Sequence, residues 1–175
     1  CTIMTSISIV REKERGTMEL LLASPLKPTT VLLSKTVPYL ALSFVNLVSI
    51  LILAVFVLQV PISGSLWLLL FVSTIFIFLS LSLGLLISTL VNTQVTAILI
   101  SGIGMLMPVL ILSGMIFPIG NMPNILQWIS TLVPARWFIA AVKKIMIEGL
   151  GFMSVVKEIL ILIAMSIGLM TISLL

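Results

Sequence analysis

From position 36 to position 117 apolar residues run almost without interruption, and the few polar positions among them divide the run into lengths of one membrane crossing. A spanning helix needs about 20 consecutive apolar residues. By that measure the chain contains complete spans at 36–58, 66–90, 95–117 and 154–175. The stretch Gln59 to Ser65, rich in Pro, Gly and Ser, supplies the first turn. Asn92, Thr93 and Gln94 mark the second. Residues 118–150 break the pattern: Pro118, Gly120, Asn121, Pro123 and Asn124 crowd together, and Pro134 and Arg136 interrupt the apolar stretch that follows. Residues 1–10 are apolar but too short to cross a bilayer, so they read as the end of a span that begins upstream.

Composition turns this pattern into a class. Of 175 residues, 61% are hydrophobic and 8% are charged, against about 25% charged in an ordinary soluble domain. The charges are segregated into eight between Arg11 and Lys35 and six between Arg136 and Glu158, leaving an uncharged run of 100 residues from 36 to 135. No soluble fold of this size hides that much apolar sequence. With no His, no Asp and one Cys, zinc fingers, disulfide frameworks, aspartyl chemistry and Asp-based calcium loops are excluded. The chain has no Gly-rich phosphate loop of the Lys-Ser/Thr kind either. The net charge of +4 sits at the flanks of the spans, which points to membrane surfaces and away from nucleic acid. Three spans separate the two charged clusters, so the clusters face opposite sides. Five basic residues in the first against four in the second weakly favour residues 11–35 in the cytoplasm.

Within the spans, small residues recur every fourth position. Ser80, Gly84 and Ser88 form one row, Thr93, Ala97 and Ser101 another, and Ala164 with Gly168 a third. That spacing keeps them on one helix face, where they let backbones approach closely. Such rows are either packing seams or the ordinary small-residue content of membrane helices. Pro108 predicts a kink in the 95–117 span. The three central spans carry no carboxylate, His or Lys, the usual coupling groups of ion-driven carriers. Energy for uphill transport is therefore expected from another polypeptide.

Residues 11–24, REKERGTMELLLAS, are a dense mixed-charge knot followed by an amphipathic stretch with Met18, Leu21 and Leu22 on one face. Thr17 can cap a helix start, with Glu19 in the first turn where the dipole favours an acid. Gly16 permits a sharp turn between knot and helix. Taken alone, the segment reads as a solvated loop with a surface-lying helix.

The order of these residues resembles the type-2 ABC transporter permeases of the drug and polysaccharide export class. The first resembling block is Glu12-Lys-Glu-Arg-Gly-Thr-Met-Glu-Leu-Leu-Leu with Ser24-Pro25 and Ser34-Lys35. The second runs from Leu112-Ser-Gly-Met-Ile-Phe-Pro-Ile-Gly-Asn-Met-Pro123 through Leu126-Gln-Trp-Ile-Ser130 to Pro134-Ala-Arg-Trp-Phe138. The resemblance covers nearly the whole chain and implies a C-terminal portion of such a permease. It implies an all-α polytopic bundle of one transmembrane domain, with a cytoplasmic coupling helix within 11–35 and a re-entrant extracytoplasmic hairpin at 118–150. The coupling residues would be Glu12, Glu14, Gly16, Thr17, Glu19 and Leu21. The re-entrant region would turn at Pro118, Pro123 and Pro134, with Arg136 beside them, and Ser80, Gly84 and Ser88 would serve helix packing. Trp128 and Trp137 suit an interfacial belt. The pair Lys143-Lys144, near Glu148, stands where the family usually has one basic residue late in the re-entrant region.

The expected function is the membrane-spanning permease subunit of an ATP-driven exporter, not an enzyme and with no catalytic residues. Its expected partners are an ATP-binding subunit carrying ATP and magnesium, a second permease copy, identical or not, and membrane lipid, with no nucleic acid. The chain itself would bind no cofactor or metal. The expected location is a bacterial or archaeal inner membrane. The alternatives are a non-transporting membrane assembly protein, whose charge knot would bind no ATPase, and a nucleotide-independent channel, which would need a continuous polar helix face.

Overall fold

A computed structural model describes residues 1–16, 28–57, 59, 63–114, 116 and 118–174. Among these residues the fold is all-α. In chain order the helices are α1 (Thr2–Glu14), α2 (Pro28–Ile52), α3 (Leu66–Leu90), α4 (Gln94–Leu99), α5 (Met105–Leu112), α6 (Asn124–Thr131), α7 (Pro134–Met146) and α8 (Phe152–Leu174). A π-helical turn, Leu53–Val57, extends α2, and another, Ile100–Gly104, joins α4 to α5. Four stretches are long and apolar enough to cross a membrane: Thr36–Val57, Leu66–Leu90, Gln94–Leu112 and Phe152–Ser173. The pair α6 and α7 adds a fifth only if it counts as one broken span, because the two helices meet at 85°. The protein is thus a polytopic helix bundle.

Local sequence explains where these helices start and stop. Helix α1 does not end at the apolar stretch but continues through the charge knot to Glu14. Arg11 and Lys13 in its last turn face the negative end of the helix dipole. Gly16 then takes φ +70 and donates its N–H to the Lys13 carbonyl at 3.1 Å, the left-handed stop that glycine makes without strain. Pro28 opens α2. Proline suits a first helical position because its missing N–H would have had no partner there. Pro108 lies inside α5, and the disruption it brings takes the form of the π turn ahead of it. That turn ends at Gly104, the residue whose carbonyl the Pro108 ring crowds and leaves without an amide donor. The same span stops at Leu112, not 117, because Gly114 adopts φ +80.

The chain divides into two compact units. One comprises Cys1–Val45, Ile77–Met105 and Ser166–Leu175, the other Asn46–Phe76 and Leu106–Met165. In the first unit, α1 packs against α4 and its π turn around a small core of Val10, Ile87, Val91 and Ala97, with Met105 at its edge. The row Ser80, Gly84, Ser88 of α3 runs along α1. Thr2 Oγ1 donates to the Ser80 carbonyl at 3.0 Å, and Lys13 Nζ donates to the Ser88 carbonyl at 2.6 Å. Between them, a Cβ on Gly84 would stand 2.8 Å from the Thr2 carbonyl oxygen and 2.9 Å from Thr5 Cβ. In the second row, Thr93 caps α4 by accepting the Thr96 N–H at 3.3 Å, while Ala97 is fully buried and Ser101 donates back to its carbonyl. In the third, a Cβ on Gly168 would meet nothing within 4 Å.

In the second unit α7 is the fixed element. Phe138 stacks on Phe76 of α3 with ring centroids 4.2 Å apart and planes 8° from parallel. At the far end of α7 the Ser63 N–H donates to the Met146 carbonyl at 3.2 Å. Gly64 lies so close that a Cβ there would collide with the Ile145 carbonyl oxygen.

These contacts separate two glycines that look alike in sequence. Gly84→Leu is expected to lower stability by about 1–3 kcal/mol through overpacking, whereas Gly168→Leu is expected to change it by less than about 0.5 kcal/mol. Thermal unfolding of the two variants in the same detergent checks the difference.

Candidate functional site: a helix-end clasp and a broken hairpin

Two groups of polar residues carry the candidate chemistry, one in each unit. The first is the C-terminal end of α1. Lys13 Nζ, besides its bond to Ser88, reaches the Thr89 carbonyl at 3.4 Å. These are last-turn carbonyls of α3, which have no amide partner within the helix, and a cation there also meets the helix dipole favourably. Next to it, Gln94 Nε2 at the start of α4 donates to Glu14 Oε2 at 2.6 Å. The charge knot therefore grips the turn between α3 and α4 from both sides. Arg11, Glu14, Arg15 and Gly16 remain exposed. Of the residues singled out in sequence for coupling, Glu12, Glu14 and Gly16 lie on or just past this helix end, and Thr17, Glu19 and Leu21 lie outside the described residues. Sequence did not single out Lys13 or Gln94. Their signal was their position: a cation among the knot's acids, and an amide just past a capping threonine.

The second group holds the 85° elbow between α6 and α7. Pro118 leads into a 3₁₀ turn, Ile119–Asn121. Pro123 precedes α6, and Pro134 is the first residue of α7. Each proline sits where a helix begins or a turn is needed, so none costs a helical hydrogen bond. Arg136 Nη1 donates to the Gln127 carbonyl at 3.1 Å and to Ser130 Oγ, both on α6. Trp137 Nε1 donates to the Thr131 carbonyl at 3.0 Å. Two side chains from the first turn of α7 thus satisfy the end of α6 and set the bend. Trp137 also lies under two cations, with the Arg136 guanidinium carbon 5.3 Å and Lys157 Nζ 6.0 Å from its ring centroid. Sequence treated Trp128 and Trp137 alike, but the structure separates them. Trp128 is 78% exposed, whereas Trp137 is half-buried and bonded.

The Lys143-Lys144 pair is also divided. Lys144 Nζ binds Glu158 Oε1 of α8 at 2.8 Å and the Ser154 carbonyl at 3.1 Å. Its acid is Glu158, not the nearer Glu148. Glu158 is 5% exposed, and its Oε2 has no hydrogen-bond partner. Lys144 therefore ties the end of α7 to the start of α8 across the link that joins them. Lys143 is exposed, with no hydrogen bond or ion pair among the described residues. No group of His, Cys, Asp or Glu among the described residues could hold a metal ion.

Comparison with known proteins places this arrangement in context. The sequence profile described as "ABC-2 family transporter protein" matches residues 1–175. The chain is similar to the probable multidrug ABC transporter permease YbhS of Escherichia coli K12, at 36% identity over 94% of this chain and 44% of that protein. It is similar to the inner membrane transport permease YhhJ of the same strain, at 30% identity over 99% of this chain and 46% of that protein. A third relative is ABC transporter G family member 20 of Dictyostelium discoideum, at 31% identity over 85% of this chain and 20% of that protein. The chain spans less than half the length of each of these relatives. No solved structure matches.

The buried pair gives a test of its own. Lys144→Ala leaves the Glu158 carboxylate buried without a cation and is expected to cost about 1–3 kcal/mol, below the figure for a fully enclosed pair because Lys144 is 32% exposed. The double variant Lys144→Ala with Glu158→Leu removes the stranded charge and is expected to recover most of that loss. Unfolding midpoints of the single and double variants decide it.

Proposed function

The chain belongs to the ABC-2 family of transporter proteins, and from that membership we propose that it builds the membrane part of a permease subunit in an ATP-driven exporter. ATP and magnesium are bound and hydrolysed on a separate ATP-binding subunit, and the translocation path forms between this permease and a second copy of it or a close relative. The segment 11–24 docks on the ATPase. The 118–150 region is the re-entrant hairpin on the far side of a bacterial or archaeal inner membrane. The cargo is hydrophobic or amphipathic, in keeping with charge-free central spans and with the multidrug description of YbhS.

The observation that carries this reading is the clasp at the end of α1. A docking segment transmits force only if what lies behind it is fastened to the spans. Glu14 and Lys13 supply that fastening through Gln94 and the last carbonyls of α3. Closure of the ATPase displaces residues 11–24, and the clasp passes the displacement to two spans at once. Each nucleotide state then favours a different arrangement of the bundle.

The test uses the whole gene product, extracted gently from its native host. Native mass spectrometry is expected to find two permeases with two ATP-binding subunits. Gly16→Val is expected to weaken that complex about tenfold. The left-handed backbone at Gly16 costs a branched residue about 1–2 kcal/mol, while a Cβ there meets no neighbour within 4 Å. Gly16→Asn, which tolerates that backbone, should keep the complex. A permease that comes alone, under conditions that preserve other membrane complexes, would sink the proposal.

A further inference from the structure

Helix α7 carries three cations, Arg136, Lys143 and Lys144, and among the described residues only Lys144 meets an acid. Lys144 is neutralised by Glu158. Arg136 spends its hydrogen bonds on the neutral acceptors Gln127 and Ser130, so its charge is held in place but not cancelled. Lys143 has no hydrogen bond or ion pair among the described residues. The two uncancelled cations are seven positions apart on one face, about 10 Å along the helix. That face is one wall of a cleft of about 480 Å³. The rest of the lining is mostly apolar, with Ile116, Pro118 and Ile119 opposite and Ile139 between the cations. Trp137 closes the wall beside Arg136, and Lys157 approaches its ring. Among the described residues no carboxylate lines the cleft.

A cavity of this size is in the range that encloses most of a small ligand, about 300–1,000 Å³. Its chemistry selects the ligand. A purely apolar guest would leave two cations uncompensated near low-dielectric surroundings, where charge attraction is strongest. A free inorganic anion would leave the isoleucine wall unused. An anion joined to an apolar tail satisfies both halves. In a protein embedded in a bilayer that molecule is at hand in every anionic phospholipid.

We propose that this cleft is a binding site for an anionic phospholipid, its phosphate held at Lys143, its polar headgroup and glycerol oxygens turned toward Arg136 and its upper acyl carbons lying along Ile119 and Ile139. The exposed ammonium of Lys143 reaches the phosphate as a point charge. Arg136, fixed by its bonds to α6, contributes field more than contact. An occupied cleft bridges the 3₁₀ turn and α7, so the lipid braces the elbow that Arg136 and Trp137 set. This site does not depend on the protein being an exporter, since a lipid can occupy it in any membrane protein of this fold.

The test is native mass spectrometry of the whole gene product, delipidated in a neutral detergent and titrated with dioleoyl phosphatidylglycerol, dioleoyl phosphatidylcholine or inorganic phosphate. Phosphatidylglycerol is expected to bind in preference to phosphatidylcholine. Lys143→Gln is expected to reduce phosphatidylglycerol binding about fivefold, the effect of one basic residue at a membrane surface, and Lys143→Arg to retain it. Lys143 is exposed, so its substitution leaves the packing intact, which an unchanged unfolding midpoint would verify. Equal binding of the two lipids, or phosphatidylglycerol binding unaffected by Lys143→Gln, would overturn the assignment. Millimolar phosphate competing as well as the lipid would also overturn it, by showing a site for a free anion with no use for a tail.

Discussion

Inside a bilayer no water is available to a carbonyl, a hydroxyl or a charge, so each must find its partner within the protein. Most of the polar geometry of this chain follows from that. Thr74 donates to the Leu70 carbonyl at 2.8 Å, Ser82 to Phe78 at 2.9 Å and Thr171 to Gly168 at 2.8 Å, each hydroxyl turned back onto its own helix. Where a helix stops and its last carbonyls fall free, a cation or an indole arrives from elsewhere in the chain. Lys13 serves α3 in this way, and Arg136 and Trp137 serve α6. The charged and aromatic side chains at helix ends are the fastenings between elements.

The same constraint explains what sequence made visible. An uncharged run of 100 residues left helices as the only candidate, and the all-α polytopic fold followed without any knowledge of contacts. The Ser80, Gly84, Ser88 row was legible as a face, but its occupant was not, because nothing in α3 says that α1 will come within reach. The elbow was visible as prolines. The residues that hold it were not, because Arg136 reaches back across nine positions to Gln127. The Lys144 pairing defeated sequence for a similar reason. Glu148 is nearer in the chain, and only the path of the link into α8 brings Glu158 within 2.8 Å. The π turn before Pro108 was legible only as a kink, since periodicity does not record how a helix absorbs a missing amide.

Three cations on one short helix meet three different ends. Arg136 is spent on neutral oxygens, Lys144 on a buried carboxylate, and Lys143 on nothing within the described residues. The guanidinium of Arg136 suits a forked set of oxygens, and the two lysines, alike in chemistry, differ in angular position on α7. A rotation of one residue separates the lysine that staples α8 from the lysine that faces the cleft.

The clamp at Ser63 and Gly64 has a consequence for the engineer who would label or lengthen this protein. Gly64 touches the Ile145 carbonyl so closely that even a methyl group has no room, and Gly149, at φ +62, sits close against Ser63. The chain at this point behaves as a riveted joint, although its Pro, Gly and Ser composition has the look of a slack linker. At Gly120, by contrast, an added Cβ meets nothing within 4 Å.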